Sequence, residues 1–265
     1  MNARPIGVFD SGLGGLTVVN EIKKALPYED IIYLGDTARV PYGTRSKEVV
    51  KKFSLEDAIF LITRKVKCLV IACNTSSALG ASEVRKISPV PVFDAISPTV
   101  KKVATLSLRK TGVIGTRGTI GSHAYRDAIK KLNAKSKIIE LACPLLVPAI
   151  EEGETSGQLI RALIRKYLTP LKKEKIDSLI LACTHYPIIK KEIKRFMGQG
   201  VALIDPAEEI AASLSLYLEE KNLLAPENPK AKRIYFVTDL TSRFIGVAEM
   251  FLGERISGSI KKVSL

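Results

Sequence analysis

The chain has 265 residues, about 46% of them hydrophobic, and a formal net charge of +14. That length can bury a sizeable core and allows two domains, and its apolar runs fall far short of the roughly 18 residues a membrane helix needs. The basic excess raises nucleic-acid binding, but the lysines are dispersed over helical segments and no aromatic-interleaved basic motif of the RRM, KH or zinc-finger type occurs, so a solvated surface is the expectation.

The N-terminal stretch MNARPIGVFDSG has no apolar run before a cleavage site, so a cytoplasmic protein is expected. Four cysteines (Cys68, Cys73, Cys143, Cys183) form no CxxC pair, and only His123 and His185 could assist them. Reduced thiols are expected, with neither a disulfide framework nor a metal site.

In chain order, residues 4–10 read as a strand, SGLGG as a turn and TVVNEIKKAL as an amphipathic helix. IIYLGD is a second strand and TARVPYGTRS a loop. Glu48 to Arg64 has helical periodicity, with Val49, Phe53, Leu55, Ile59 and Ile62 as its expected buried stripe. CLVIAC, SALGASEVRKI and VPVFDA come next as strand, helix and strand. The alternation then restarts: helix Pro98–Leu108, strand TGVIGT, loop RGTIGS, helix His123–Leu132, strand KIIELA, loop CPLLVPAIEEGE, helix Ser156–Lys173, strand SLILAC, a helix opened by THYPIIKKEIKRF, and strand VALID. A helix (Ala207–Glu219), a polar linker, the strand RIYFVT and a helix near Arg243–Leu252 finish the chain.

The second half repeats the first. VKCLVIACNT at Val66–Thr75 matches IDSLILACTH at Ile176–His185 without gaps, bringing Cys73 opposite Cys183. Gly7-Val8 recurs as Gly112-Val113, Val40-Pro41 as Val147-Pro148, and Asp94 as Asp205. These pairs describe an α/β fold of two duplicated, pseudo-two-fold related domains with mostly parallel sheets and a site in the cleft between them. The expected division is 1–97 plus 207–265, carrying Asp10 and Cys73, and 98–206, carrying Cys183 and His185.

Ligands in parallel α/β sheets bind at carboxyl strand ends, where Asp10, Ser11, Asp36, Cys73, Asn74, Thr75, Thr116, Cys183, Thr184 and His185 are expected. DSGLGG is neither a dinucleotide fingerprint nor a P-loop, although its backbone N–H groups could face a carboxylate. A buried cysteine at a strand end is ordinary packing. Two of them at equivalent ends of a repeat, each before a predicted helix and each with a polar helper (Asp10, His185), suit proton removal from one face of a carbon and delivery to the other.

The strings IGVFDSGLGGLTV, YLGDTARVPYGTRS, VIACNTSSA, CPLLVP with EEGE, and LACTHYP together resemble cofactor-independent glutamate racemase over about positions 6 to 206. LACTHYP departs from the family's pattern, in which a glycine often precedes the cysteine. The resemblance implies interconversion of L- and D-glutamate for peptidoglycan synthesis, no cofactor, and a homodimer. It implies Cys73 as base for the D-enantiomer and Cys183 for the L-enantiomer, assisted by Asp10 and His185, with Asp36 and Glu151 supporting or structural. Substrate contacts implied are Ser11, Tyr42, Gly43, Asn74, Thr75, Thr116, Thr119 and Thr184. The alternatives are a racemase of aspartate or another acidic amino acid, a cysteine hydrolase or transferase using Cys73 with His185, and a basic binding protein.

Overall fold

The computed structural model describes residues 2–106, 109–227, 230–241, 244–256 and 260–265. The first half runs β1 (Ile6–Asp10), α1 (Leu16–Ala25), β2 (Ile31–Gly35), a 3₁₀ turn (Tyr42–Thr44), α2 (Lys47–Ile62), β3 (Cys68–Ile71), α3 (Asn74–Leu79), α4 (Ala81–Ile87) and β4 (Val92–Asp94). The second runs α5 (Ile96–Thr105), β5 (Lys110–Gly115), α6 (Arg117–Gly121), α7 (Ala124–Leu132), β6 (Lys137–Ala142), α8 (Leu146–Glu151), α9 (Gln158–Lys173), β7 (Ser178–Ala182), a 3₁₀ turn (Tyr186–Ile189), α10 (Lys190–Met197) and β8 (Ala202–Ile204). Then come α11 (Pro206–Glu220), β9 (Arg233–Val237), α12 (Phe244–Leu252) and β10 (Ile260–Lys262). Leu108 and Arg243, the expected outer ends of two helices, lie outside the described residues.

The strands form two sheets, ordered β10-β9-β2-β1-β3-β4 and β6-β5-β7-β8, and every pairing among the described residues is parallel. Stripped of the two tail strands, the first order is the second order, strand for strand. The register repeats as well: Gly7 lies opposite Leu69, and Gly112 opposite Leu179. Both glycines sit in the same close approach. A Cβ on Gly7 would lie 2.9 Å from Val66 Cγ1, and one on Gly112 would lie 2.8 Å from Ile176 Cδ1. Val66 and Ile176 are the residues that open the two matching strings.

One apolar cluster runs from Ile6, Val8 and Val70 of the first sheet through Ile22 of α1 and Leu214 of α11 to Ile114, Leu179 and Leu181 of the second. The equivalent residues Asp94 and Asp205 each end a strand and begin a helix. Asp94 Oδ1 accepts from the N–H of Ile96 and Ser97 (2.8 and 2.9 Å), and Asp205 Oδ1 from that of Ala207 (3.0 Å). Such caps satisfy N–H groups that a helix start leaves unpaired.

Several sequence expectations need correction. The stripe on α2 is turned by one residue: Val50, Ser54, Asp57, Ala58 and Leu61 are buried, and Ile59 is 50% exposed. A purely apolar stripe could not anticipate that two polar residues, Ser54 and Asp57, face inward. RGTIGS and CPLLVPAIEEGE hold short helices, α6 and α8, where loops are expected; segments of five or six residues are too short to show a period. SALGASEVRKI is two helices, broken at Gly80. The strand β10 is an addition to the expected elements.

The tail completes the first sheet. β9 pairs with β2 (Ile31 opposite Arg233), and β10 pairs with β9. Lys67, immediately before β3, is buried and binds Glu29 Oε2 (2.5 Å) and the carbonyls of Asn2 and Leu223 (2.9 and 2.7 Å). Glu29 Oε1 accepts from the N–H of Ala225 (2.8 Å). One buried ion pair thus fastens the tail to the first sheet.

Candidate active site

Cys73 and Cys183 line one small cavity of about 40 Å³, together with Ser11, Val40, Pro41, Tyr42, Gly43, Asn74, Thr75, Thr116, Val147, Ala182, Thr184 and His185. The two thiols come from the equivalent ends of β3 and β7, the central strands beside β1 and β5. Apart from His185, this lining carries no ionisable nitrogen and no carboxylate. The volume holds on the order of a few waters. A vestibule of about 620 Å³ adjoins it, shares Val40, Pro41, Gly43, Thr116 and Val147 with it, and is also walled by Arg117, Tyr167, Lys166 and Glu151.

The two thiols are held differently. Cys73 is the N-cap of α3 and its Sγ accepts from the Ser76 N–H (3.5 Å), while its S–H donates to Ser11 Oγ (3.6 Å). Burial, with the charge of Asp10 adding to it, pushes the Cys73 thiol up to about 11, against the help of Ser76 and Ser11. Cys73 therefore rests as a proton-bearing thiol. Cys183 caps no helix: a 3₁₀ turn starts only at Tyr186, which corrects the expectation of a helix start after both thiols. Its Sγ lies 3.9 Å from His185 Nδ1, and His185 Nε2 lies 2.9 Å from Glu151 Oε1. Burial works against the imidazolium, but Cys183 and Glu151 outweigh it and push the His185 pKa up to about 10. Cys183 thus faces a charged ring that can lend or take back a proton, anchored from behind by a carboxylate.

Asp10 is fully buried and does not line the cavity. Its Oδ2 accepts from the Gly12 N–H (3.1 Å), and its Oδ1 is buried without a partner among the described residues. Burial raises its pKa, and His185 and the N–H groups of Gly15 and Gly12 oppose the rise.

Close packing sets the glycines of the turn, whose Gly12 N–H faces the Asp10 carboxylate. A Cβ on Gly14 would overlap Thr184 Oγ1 and lie 2.5 Å from His185 Nδ1, and one on Gly15 would lie 2.5 Å from Asp10 Cβ. These glycines let the turn pass between the helpers of the two thiols, and of the turn only Ser11 reaches the cavity. Thr17 Oγ1 donates to Thr184 O (3.0 Å), which ties α1 to the same corner.

Asp36 is brought to a buried cluster behind the wall rather than to the cavity. Tyr42 OH donates to Asp36 Oδ2 and lies 3.0 Å from Asp57 Oδ2. Arg39 Nε donates to Asp36 Oδ2 (2.6 Å), and Thr238 Oγ1 to Asp36 Oδ1 (2.9 Å). The Tyr42 hydroxyl is thus occupied away from the substrate space. Thr75, Thr116 and Thr119 form a hydroxyl triangle of 2.9, 3.1 and 3.1 Å. Thr119 is buried behind Thr116 and does not line the cavity.

Reading the sequence missed Val40, Pro41, Val147, Ala182, Asp57, Arg39 and Tyr125. For Val40 and Val147 the signal was present: Val40-Pro41 and Val147-Pro148 repeat, and the two valines occupy paired places in the wall. Asp57 and Tyr125 gave none, because nothing in the local pattern of their helices separates them from polar residues that stay solvated. Neither Cys68 nor Cys143 lines the small cavity: Cys68 is in the core, whereas Cys143 walls the vestibule. Burial holds both thiols up near 12, with Cys183 adding to the rise at Cys143.

Residues 6–214 match the family described as Asp/Glu/Hydantoin racemase. The glutamate racemase of Geobacter metallireducens is 46% identical over 263 residues, 99% of this chain and 97% of that protein. The crystal structure of glutamate racemase from Francisella tularensis in complex with D-glutamate superposes with a TM-score of 0.94 at 42% identity, covering 100% of this chain and 98% of that one. Escherichia coli glutamate racemase, solved with L-glutamate and the activator UDP-MurNAc-ala, gives a TM-score of 0.74 at 26% identity, covering 94% and 95%.

Proposed function

The chain belongs to the Asp/Glu/Hydantoin racemase family, and from that premise we propose that it interconverts L- and D-glutamate by moving the Cα proton between two thiols. The observation that carries the mechanism is that Cys73 and Cys183 line one cavity from equivalent ends of two repeated sheets. One sulfur removes the proton from one face, and the other delivers a proton to the opposite face, so the configuration inverts.

We assign Cys183, backed by His185 and Glu151, to removing the proton of L-glutamate. We assign Cys73, backed by Ser11 and Asp10, to returning one to the other face. The proton-bearing state of Cys73 suits the donor role in that direction. In reverse the roles exchange. Ser11, Asn74, Thr75, Thr116 and Thr184 provide neutral donors to the substrate's carboxylates, and Gly43 provides backbone close by. Asp36 holds Tyr42 in the wall, and Thr119 backs Thr116. Fixed dipoles in a closed, water-poor cavity stabilise the carbanion-like charge without a cofactor.

Two units, 1–97 with 207–265 and 98–206, open to admit glutamate and close over it. A homodimer, a cytoplasmic location and a supply of D-glutamate to peptidoglycan synthesis belong to the same proposal; the four buried, unpaired thiols suit a reducing compartment. Among the described residues no helix is long and apolar enough to cross a membrane.

Incubating L-glutamate in D₂O with the wild type, Cys73→Ser and Cys183→Ser tests the mechanism. Deuterium should enter Cα with inversion in the wild type, and racemisation should fall by at least 10³-fold in each variant. Full racemisation by either variant would sink the two-thiol mechanism. Faster turnover of aspartate than of glutamate would overturn the substrate.

A further inference from the structure

Asn74 is the first residue of α3, is buried, and lines the cavity beside Cys73. A primary amide can face a substrate with either end: its NH₂ serves a carboxylate, and its oxygen serves an ammonium. Something must choose between them. Tyr125, on α7 in the other half of the repeat, is 1% exposed, and its hydroxyl donates to Asn74 Oδ1 at 2.6 Å. Ala95 O lies farther from that hydroxyl, at 3.3 Å, and is already served by the Thr99 hydroxyl at 2.7 Å.

We infer that Tyr125 is a positioning residue for racemisation: by engaging Asn74 Oδ1 from the opposite half, it turns the Asn74 NH₂ into the cavity as a carboxylate donor. This inference rests on the racemase reading. It also gives closure a chemical consequence. The bond joins residue 74 to residue 125, so it exists only while the two halves are together. When they separate to admit glutamate, the amide is free to turn; when they close, the phenol resets it. The wall of the site therefore acquires its donor polarity on closing, alongside the Thr75–Thr116 contact, which also joins the two halves. The phenol stays a donor because burial raises its pKa well above the ordinary value.

Tyr125→Phe keeps the ring and deletes the hydroxyl. The expected result is a KM about tenfold higher for both enantiomers, equivalent to about 1.4 kcal/mol, with kcat changed less than threefold and the melting temperature lowered by only a few degrees. Because the two enantiomers are equal in free energy, kcat/KM must fall by the same factor in both directions, which checks the data internally. In an Asn74→Ala background the same substitution should change KM less than twofold, since its target is gone.

Asn74→Asp is the second arm. It leaves Tyr125 an oxygen to bind but turns another oxygen toward the substrate, and KM should rise more than a hundredfold. A wild-type KM in Tyr125→Phe, an equal effect of that substitution with and without Asn74, or a wild-type KM in Asn74→Asp overturns the inference. If the wild type itself does not racemise glutamate, it is the racemase reading that falls.

Discussion

Tyr42 lines the cavity, yet its hydroxyl points into a buried group of Asp36, Asp57 and Arg39. Asp57 is fully buried, and burial with Asp36 beside it raises its pKa well above the ordinary carboxylate value. Tyr42 can then donate to Asp36 and accept from a protonated Asp57 at 3.0 Å. A raised pKa in the folded state makes this group's stability contribution complete below the unfolded value near 3.8 and lost as pH climbs through the folded value. Asp57→Asn mimics the protonated acid and carries no such loss. Thermal melts from pH 4 to pH 8 should show the variant level with the wild type at pH 4 and equal or higher in melting temperature at pH 7. A variant clearly less stable at pH 7 than at pH 4, relative to the wild type, would mean that the carboxylate is needed charged.

At the scale of elements, the β1–α1 turn decides how closely the two thiols' helpers approach. Gly14 has no room for a Cβ beside Thr184 and His185, whereas Gly121 meets nothing within 4 Å. Gly14→Ala should lower kcat/KM at least a hundredfold and cost about 1–3 kcal/mol by overpacking; Gly121→Ala should leave kcat/KM within twofold. Steady-state kinetics and denaturant melts on both variants check this, and a fully active Gly14→Ala would remove the turn from the site's construction. The paired thiols also differ by element. A helix start lends Cys73 an N–H, whereas Cys183 meets the ring of His185, just ahead of the 3₁₀ turn. The repeat is symmetric in its strands and asymmetric in the turns and helices after them, so the two sulfurs work with different partners.

At the scale of the molecule, one buried ion pair fastens the tail to the first sheet beside the β9–β2 pairing. Lys67→Met leaves the buried Glu29 charge without its cation and should destabilise by about 3–5 kcal/mol. Adding Glu29→Gln should restore a good part of that, because the uncompensated charge is gone. Urea unfolding of the single and double variants measures the difference, and a double variant no better than the single one would show that the pair's surroundings, not its charge, hold the tail. The sheets themselves need no such device, since their cores are continuous through α1 and α11.

The duplication was written in the sequence: matching strings around Cys73 and Cys183, paired glycines at 7 and 112, and paired aspartates at 94 and 205. Strand periodicity and backbone crowding are local constraints, so they leave a local record. The resemblance to a family extended that record to the site, because glycine turns and strand ends are set by short motifs. The inward turn of α2, the short helices α6 and α8, the β10 strand, and the groups behind the wall left no such record. Asp57 and Tyr125 are polar residues within helices, and nothing near them in the chain distinguishes a buried partner from a solvated one. Their roles exist only because folding brings Asp57 against Tyr42 and carries Tyr125, from the other half of the molecule, to within 2.6 Å of Asn74.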